Sequence, residues 1–142
     1  MQYVCLQSER DQDVPYLLSV HKLPEIARFI GINEKNYFHY VTTTENVFYF
    51  KAYRGGKLAA TAHCELIGGV LYLSLLVIPE FQRQGIGTEI LREMQGGVFP
   101  LTFERIEVSI EKSNTASLGL FHKMGFTQVA EDEELMDFVW PT

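Results

Sequence analysis

The sequence predicts a domain of the α/β class in its α+β form, a mixed central sheet of about seven strands flanked by about four helices. Three observations predict it. Two glycine pairs, Gly55-Gly56 and Gly68-Gly69, separate three strand-like runs, the pattern of an antiparallel meander closed by tight turns. A Gly-x-Gly turn at Gly85 to Gly87 leads from the last of these strands into a helical stripe. A second strand and helix follow between residues 105 and 124, and a hairpin ends the chain.

Each element has its own signal. Tyr3 to Leu6 reads as a short first strand, and Asp13-Val14-Pro15 opens a helix with an Asp cap and an early Pro. Pro24 starts a second helix that Gly31 ends. Asn36 to Tyr40 is a polar-aromatic patch without a clear period, read either as a helix packed on the sheet or as a lid over a substrate. From Val47 the aromatic run VFYFKAY is a strand, Lys57 to Leu66 the next, and Val70 to Ile78 the third. A two-residue loop at Gly68-Gly69 sets Ile67 against Val70, Leu66 against Leu71, Glu65 against Tyr72, Cys64 against Leu73 and His63 against Ser74. One face is then apolar, and the other gathers Glu65, Tyr72, His63 and Ser74. Alternation fails at Leu75-Leu76-Val77-Ile78, which predicts a strand buried on both faces or a bulge. Ile86, Ile90, Leu91 and Met94 form a helical stripe stopped by Gly96-Gly97. Arg105 to Ile110 alternates as a strand, and Asn114 caps a helix bearing Leu118, Phe121 and Met124 that closes at Gly125-Phe126. Thr127 to Ala130 and Leu135 to Trp140 make the last hairpin, turning through the acidic run Glu131 to Glu134.

The whole chain limits what this fold can serve. At 142 residues it is one domain's worth, expected to span residues 1–142 and to bury roughly 70% of its unfolded surface. Hydrophobic residues at 46% and charged residues at 21% match a globular domain rather than a disordered or membrane-embedded one. The N-terminus turns charged after six residues and lacks a secretory pattern, so a cytoplasmic location without membrane partners is expected. Cys5 and Cys64 have no metal-ligand spacing and read as small buried side chains, and no metal site is expected. The net charge of -6 would repel nucleic acid and suits a cationic small molecule or protein segment.

A strand that ends in Gly-x-Gly and restarts as a helix leaves backbone N–H groups without partners, a site for an anion if it is more than a tight turn. The dinucleotide fingerprint fails because Ile90 stands where its third Gly belongs, and no Gly-Lys-Ser/Thr follows as a P-loop requires. The run Val77-Ile78-Pro79-Glu80-Phe81-Gln82-Arg83-Gln84-Gly85-Ile86-Gly87-Thr88 instead resembles the acetyl-CoA signature of the GNAT superfamily of N-acetyltransferases, Gln/Arg-x-x-Gly-x-Gly/Ala. Asn114 to Phe126 resembles that family's second signature, and the element order resembles its fold. The resemblance implies acetyl-CoA as cosubstrate. It implies the pyrophosphate on Gln82, Arg83, Gln84, Gly85, Ile86, Gly87 and Thr88, and the pantetheine arm along the backbone of Leu76, Val77 and Ile78. Asn114, Ser117 and Phe121 would form the opposite wall.

The implied reaction moves an acetyl group to a primary amine of a small molecule or protein. A lysine-like amine has a pKa near 10.4 and must lose a proton before it attacks. A strand N–H near Leu76 would stabilise the thioester oxygen. The resemblance breaks at the acid and base: the tyrosine position of the second signature is Phe121, the strand Val70 to Ile78 holds no Asp, Glu or His, and Ser109 stands where some relatives carry Glu. Glu65 and Glu107 are the candidate catalytic carboxylates, with His63 a further base and Tyr72 a further donor. The acidic turn Glu131 to Glu134 would draw in a cationic acceptor. A homodimer is compatible with the family, and the other class of reading is a non-catalytic acyl-CoA-binding or sensing domain.

Overall fold

The computed structural model describes residues 1–141. In chain order the elements are β1 (Gln2–Cys5), α1 (Val14–Lys22), α2 (Pro24–Ala27), α3 (Tyr37–Thr43), β2 (Val47–Arg54), β3 (Lys57–Ile67) and β4 (Val70–Val77). A 3-10 turn (Pro79–Phe81) precedes α4 (Ile86–Gln95), β5 (Arg105–Glu111), α5 (Thr115–Lys123), β6 (Thr127–Glu131) and β7 (Leu135–Trp140). The strands form one seven-stranded sheet in the order β1-β2-β3-β4-β5-β7-β6. Every neighbouring pair is antiparallel except β4 with β5.

Two-residue loops at φ-positive glycines dictate the register. Gly55, Gly56, Gly68 and Gly69 all lie between φ 56° and 82°, backbone that residues with a Cβ adopt at a cost. Ile67 therefore meets Val70, and the pairing runs unbroken through Glu65–Tyr72 and His63–Ser74 to Ala60–Val77. No bulge interrupts Leu75 to Val77, so the double burial expected of this stretch has the other cause. Leu75 and Val77 pack toward the core beneath α4 and α5, while Leu76 and Ile78 meet Val20 of α1 and Ile26 of α2 on the opposite face.

The main core lies between the sheet and α4 and α5. Ala60, Ala62, Cys64, Leu71 and Leu73 face Ile86, Ile90, Leu91 and Met94, all at most 7% exposed. At roughly 1.5–3 kcal/mol for each fully buried large aliphatic side chain, this stripe is what fixes α4 on the sheet. A smaller core on the other face joins Leu17 of α1, Phe38 and Val41 of α3, and Tyr49. Residues 36–40 thus enter a helix that packs on the sheet, which raises the helix count to five. The α5 helix closes as its sequence predicts: Phe126 N–H reaches the Phe121 carbonyl at 3.0 Å, and the two rings meet edge to face at 5.0 Å.

Three local expectations change. Asp13 precedes α1 but makes no side-chain cap; its carboxylate receives Lys51 Nζ at 2.9 Å and the Tyr53 hydroxyl at 2.7 Å. Burial works against the Lys51 ammonium, yet the bonds to Asp13 and Asp11 outweigh it and hold its pKa above the ordinary value. The first strand is Gln2–Cys5 rather than Tyr3 to Leu6, although Leu6 N–H still reaches Tyr49 at 2.8 Å. Strand β6 extends through Glu131, and its register shifts between Gln128 and Ala130. Among the described residues no helix is long and apolar enough to cross a membrane.

Candidate active site

The one parallel pair of strands positions the site. Strands β4 and β5 pair only from Val70–Arg105 to Tyr72–Glu107, and beyond that point β5 leaves β4 with its outer backbone open. A cleft of about 550 Å³ fills the gap. Its walls are Leu75 to Val77 of β4, the turn from Phe81 to the start of α4, the near side of α5, and Ile26, Phe29 and Ile30 at and beyond α2.

Leu76, Val77, Gln82, Arg83, Gly85, Ile86, Gly87, Thr88, Asn114, Ser117 and Phe121 line this cleft. Two residues of the sequence expectation do not. Ile78 is 1% exposed, packed against α1 and α2, and the Gln84 amide turns away to the Glu80 carbonyl at 3.0 Å. The main chain of Leu76 also points elsewhere. Ile78 N–H donates to Ala59 at 2.9 Å, and strand alternation then turns the N–H and C=O of Leu76 and Ser74 toward β3 and those of Leu75 and Val77 toward the gap. The Val77 carbonyl accepts the Gln82 side-chain amide at 3.1 Å there.

The turn into α4 is shaped for an anion. Arg83 and Gly85 both have left-handed backbone, φ 63° and 76°, and Gly85 occupies the N-cap without a side-chain partner for the helix. The first intrahelical bond runs from Glu89 N–H to the Gly85 carbonyl at 3.0 Å, so the N–H groups of Ile86, Gly87 and Thr88 precede it. A Cβ built on Gly85 meets no atom within 4 Å, whereas one on Gly87 would stand 2.8 Å from Leu120 Cδ2. Gly85 leaves room in the turn; Gly87 lets α5 approach α4. The helix dipole and Arg83 favour negative charge. A further cation that the first signature does not contain, Lys123, donates to Thr88 Oγ1 at 3.3 Å. Across the gap Asn114 Oδ1 accepts the Ser117 N–H at 3.3 Å, the cap read in the sequence.

A second cleft, of about 460 Å³, lies on the opposite face, and Ser74 lines it immediately beside Leu75 of the first. The structure brings Glu65, Glu107, His63 and Tyr72 together here, with Ser109 and Asp137. All come from register: Glu65, Tyr72 and Glu107 stand opposite one another on three neighbouring strands, and Ser109 faces Asp137. The acidic turn takes no part in the lining. Asp132 accepts the N–H groups of Glu134 and Leu135, and Glu131 pairs with Lys112 at 2.8 Å. Lys112 holds the Glu131 carboxyl below its ordinary value, and the Leu135 and Glu134 N–H groups do the same for Asp132.

One wall of this cleft carries a chain of four polar side chains. The Tyr37 hydroxyl lies 2.7 Å from His63 Nδ1, His63 Nε2 lies 2.7 Å from Glu65 Oε2, and the Tyr40 hydroxyl donates to Glu65 Oε1 at 3.1 Å. A carboxylate only accepts, so Nε2 carries a ring hydrogen toward Glu65, and Nδ1 shares the remaining hydrogen bond with the Tyr37 hydroxyl. Burial first, and nearby Tyr49 and Glu65 next, push the Tyr37 hydroxyl well above its usual pKa, so it stays a donor. On the far side Ser109 Oγ donates to Asp137 Oδ1 at 2.7 Å. Sequence reading misses Tyr37 and Tyr40 as partners of these groups, because helix α3 and strand β3 meet only in the fold. Asp137 was within reach of the strand pattern, since alternation from Phe138 and Met136 sets its side chain opposite theirs.

Comparison with known proteins gives one concordant result. The acetyltransferase (GNAT) family model matches residues 11–126. An uncharacterized N-acetyltransferase of Bacillus subtilis, YobR, is 31% identical over 84 residues, a stretch that covers 58% of this chain and 34% of that protein. The match thus spans about a third of the relative's length. The crystal structure of Campylobacter jejuni N-acetyltransferase PseH in complex with acetyl coenzyme A superposes with a TM-score of 0.77 at 14% identity, covering 97% of this chain and 96% of that one. The Escherichia coli ribosomal-protein-S18-alanine N-acetyltransferase gives 0.70 at 19% identity, with 97% and 92% covered. At such identities the two structures establish the shared fold.

Proposed function

Because the chain belongs to the acetyltransferase (GNAT) family, we propose that it is an acetyl-CoA-dependent N-acetyltransferase, one domain over residues 1–142, acting on a primary amine of a small molecule or protein. The observation that carries this reading is the meeting of two unlike clefts at one strand. An anion-shaped cleft with a left-handed glycine turn and a carboxylate-lined cleft share β4 at Ser74 and Leu75, where β5 has left it open.

The residues present fit acetyl-CoA, as the empty space over Gly85 indicates. Gln82, Arg83 and the N–H groups from Gly85 to Thr88 would hold the pyrophosphate, with Lys123 close by. Leu75 and Val77 would pair with the pantetheine arm, and Asn114, Ser117 and Phe121 would close the other wall. The bound cosubstrate supplies an acyl thioester open to attack by an amine. The Leu75 N–H, on the open edge, is the chain's donor for the charge that develops on the carbonyl oxygen. Glu65, Glu107 and Asp137 favour a cationic acceptor in the second cleft, which has no Lys or Arg in its lining. The same reading places the protein in the cytoplasm, where free Cys5 and Cys64 stay reduced, and admits a homodimer through the outer edge of β6, exposed along its length.

The test is release of free CoA thiol from acetyl-CoA across alkylamines, diamines, amino acids and peptides with free N-termini. Turnover with at least one class is expected. One observation favours a second reading, an acyl-CoA-binding or sensing domain: Phe121, which lines the first cleft, has no proton to give a leaving thiolate. Tight acetyl-CoA binding with no turnover on any amine would select that reading.

A further inference from the structure

We infer that the carboxylates of the second cleft have different duties: Glu107 takes the proton of the acceptor amine, while Glu65, held by His63 and Tyr40, is a fixed anion that positions the amine. The inference rests on the transferase reading and assigns roles within it.

Partner geometry separates the three carboxylates. Glu65 accepts a hydrogen bond at each oxygen, from Tyr40 at 3.1 Å and from His63 at 2.7 Å, and His63 is itself fixed by Tyr37. Asp137 is engaged by Ser109 at 2.7 Å. Glu107 makes no hydrogen bond and no ion pair among the described residues. Facing it are Glu65 and His63 from β3, Tyr72 from β4 and Asp137 from β7, with Arg105 two residues back on its own strand, and none of them bonds to it. Glu107 is therefore the carboxylate with both oxygens open to a proton, whereas Asp137 has only Oδ2 open and Glu65 has neither.

Position agrees with partner count. Glu107 is paired with Tyr72 at the last step before β5 leaves β4, two residues short of Ser74, where the two clefts meet. Glu65 is two strands away, roughly 10 Å at the usual strand spacing. It lies on the wall that α3 fixes through Phe38 and Val41 in the smaller core. A rigid anion at that distance can hold an amine or its neighbouring cationic group in place.

The step balances as follows. The ammonium gives one proton to the Glu107 carboxylate, and the freed nitrogen lone pair forms the C–N bond to the acyl carbon. The C–S bond breaks, its electron pair leaves on sulfur, and the second nitrogen proton neutralises the thiolate. Glu107 then returns its proton to solvent, leaving an amide, a thiol and one proton for each ammonium consumed.

The experiment compares Glu107→Gln, Glu65→Gln and Asp137→Asn with the wild type, using each accepted amine and a counterpart made less basic by fluorine on the second carbon from the nitrogen. Glu107→Gln should lose roughly a hundredfold or more in kcat on the basic amine, recover most of that on the weakly basic one, and keep the wild-type Kd for acetyl-CoA by calorimetry. Glu65→Gln should raise KM by a similar factor for both amines, and Tyr40→Phe should raise it less. Near-normal kcat in a folded Glu107→Gln, or recovery on the weak amine shown by Glu65→Gln or Asp137→Asn instead, overturns the assignment. A wild type that turns over no amine removes the transferase reading and the assignment with it, so the two failures are distinguishable.

Discussion

The two clefts are built by opposite means. The donor cleft draws on three short stretches, 25–30, 75–88 and 114–121, and its polar contacts are largely main-chain: the open edge of Leu75 and Val77 and the first N–H groups of α4. The acceptor cleft takes its polar side chains from β3, β4, β5 and β7, and braces Glu65 and His63 with two tyrosines of α3. A backbone-built site depends on conformation and tolerates side-chain change, whereas a side-chain-built site depends on register and on identity at each position. The first should therefore fail at glycines, and the second at single polar residues.

Acid provides the largest test of this contrast, because a buried histidine lies against the support of the acceptor side. His21 of α1 is 3% exposed, its ring tilted against that of Tyr37 at 5.4 Å between centroids, and it meets the Tyr49 hydroxyl at 3.0 Å while its Nδ1 has no partner among the described residues. Burial, with a smaller contribution from His63, lowers its pKa from 6.5 to about 4. As pH falls below 6.5 the unfolded chain takes up this proton and the folded one does not until about 4, so stability is lost across that window. The loss is up to about 3 kcal/mol. Urea midpoints from pH 7.5 to 4 should fall, and the fall should be shallower in His21→Phe; identical slopes would remove His21 as the cause.

Glycine substitutions are the next test, on the donor side. Gly87→Val puts a side chain where Leu120 already stands, 2.8 Å from the built Cβ, and should cost about 1–3 kcal/mol of stability by overpacking. Gly85→Val meets open space but must hold φ at 76°, a strain on the order of 1–2 kcal/mol, and its side chain would project into the anion turn. Thermal unfolding and acetyl-CoA calorimetry should split the pair: Gly87→Val is mainly a folding defect, and Gly85→Val weakens acetyl-CoA at least tenfold. Equal affinities for wild type and Gly85→Val would remove the turn as the phosphate site.

The smallest effects are expected where a side chain only adds to a site the main chain carries, or stands outside the cleft. Gln82→Ala loses one amide that now caps the Val77 carbonyl, and acetyl-CoA affinity should change by less than roughly fivefold, a difference of about 1 kcal/mol. Glu133→Gln with Glu134→Gln should leave acceptor KM unchanged even at low salt, since neither residue lines the cleft. A KM that rises and responds to salt would return the acidic turn to the acceptor site.

The same contrast explains what could be read along the chain. The hairpin at Gly68-Gly69 was legible residue by residue because a two-residue loop leaves the pairing no freedom. Counting alternation on from Ile67–Val70 also shows that Leu75, not Leu76, turns its N–H to the gap. Asp13 was misread as a cap because its partner, Lys51, lies 38 residues on and competes better for the carboxylate than a helix N–H does. Tyr37 and Tyr40 carried no readable signal of contact with His63 and Glu65.

By itself the sequence determined the order of the strands, the register of the β3–β4 hairpin, the glycine turn and the cap of α5, since all are governed by local dihedrals, loop length and side-chain period. Only the tertiary structure decided which of Glu65, Glu107 and Asp137 is bonded and which is free. That depends on neighbours brought alongside by sheet order and helix packing, and no spacing along the chain encodes them.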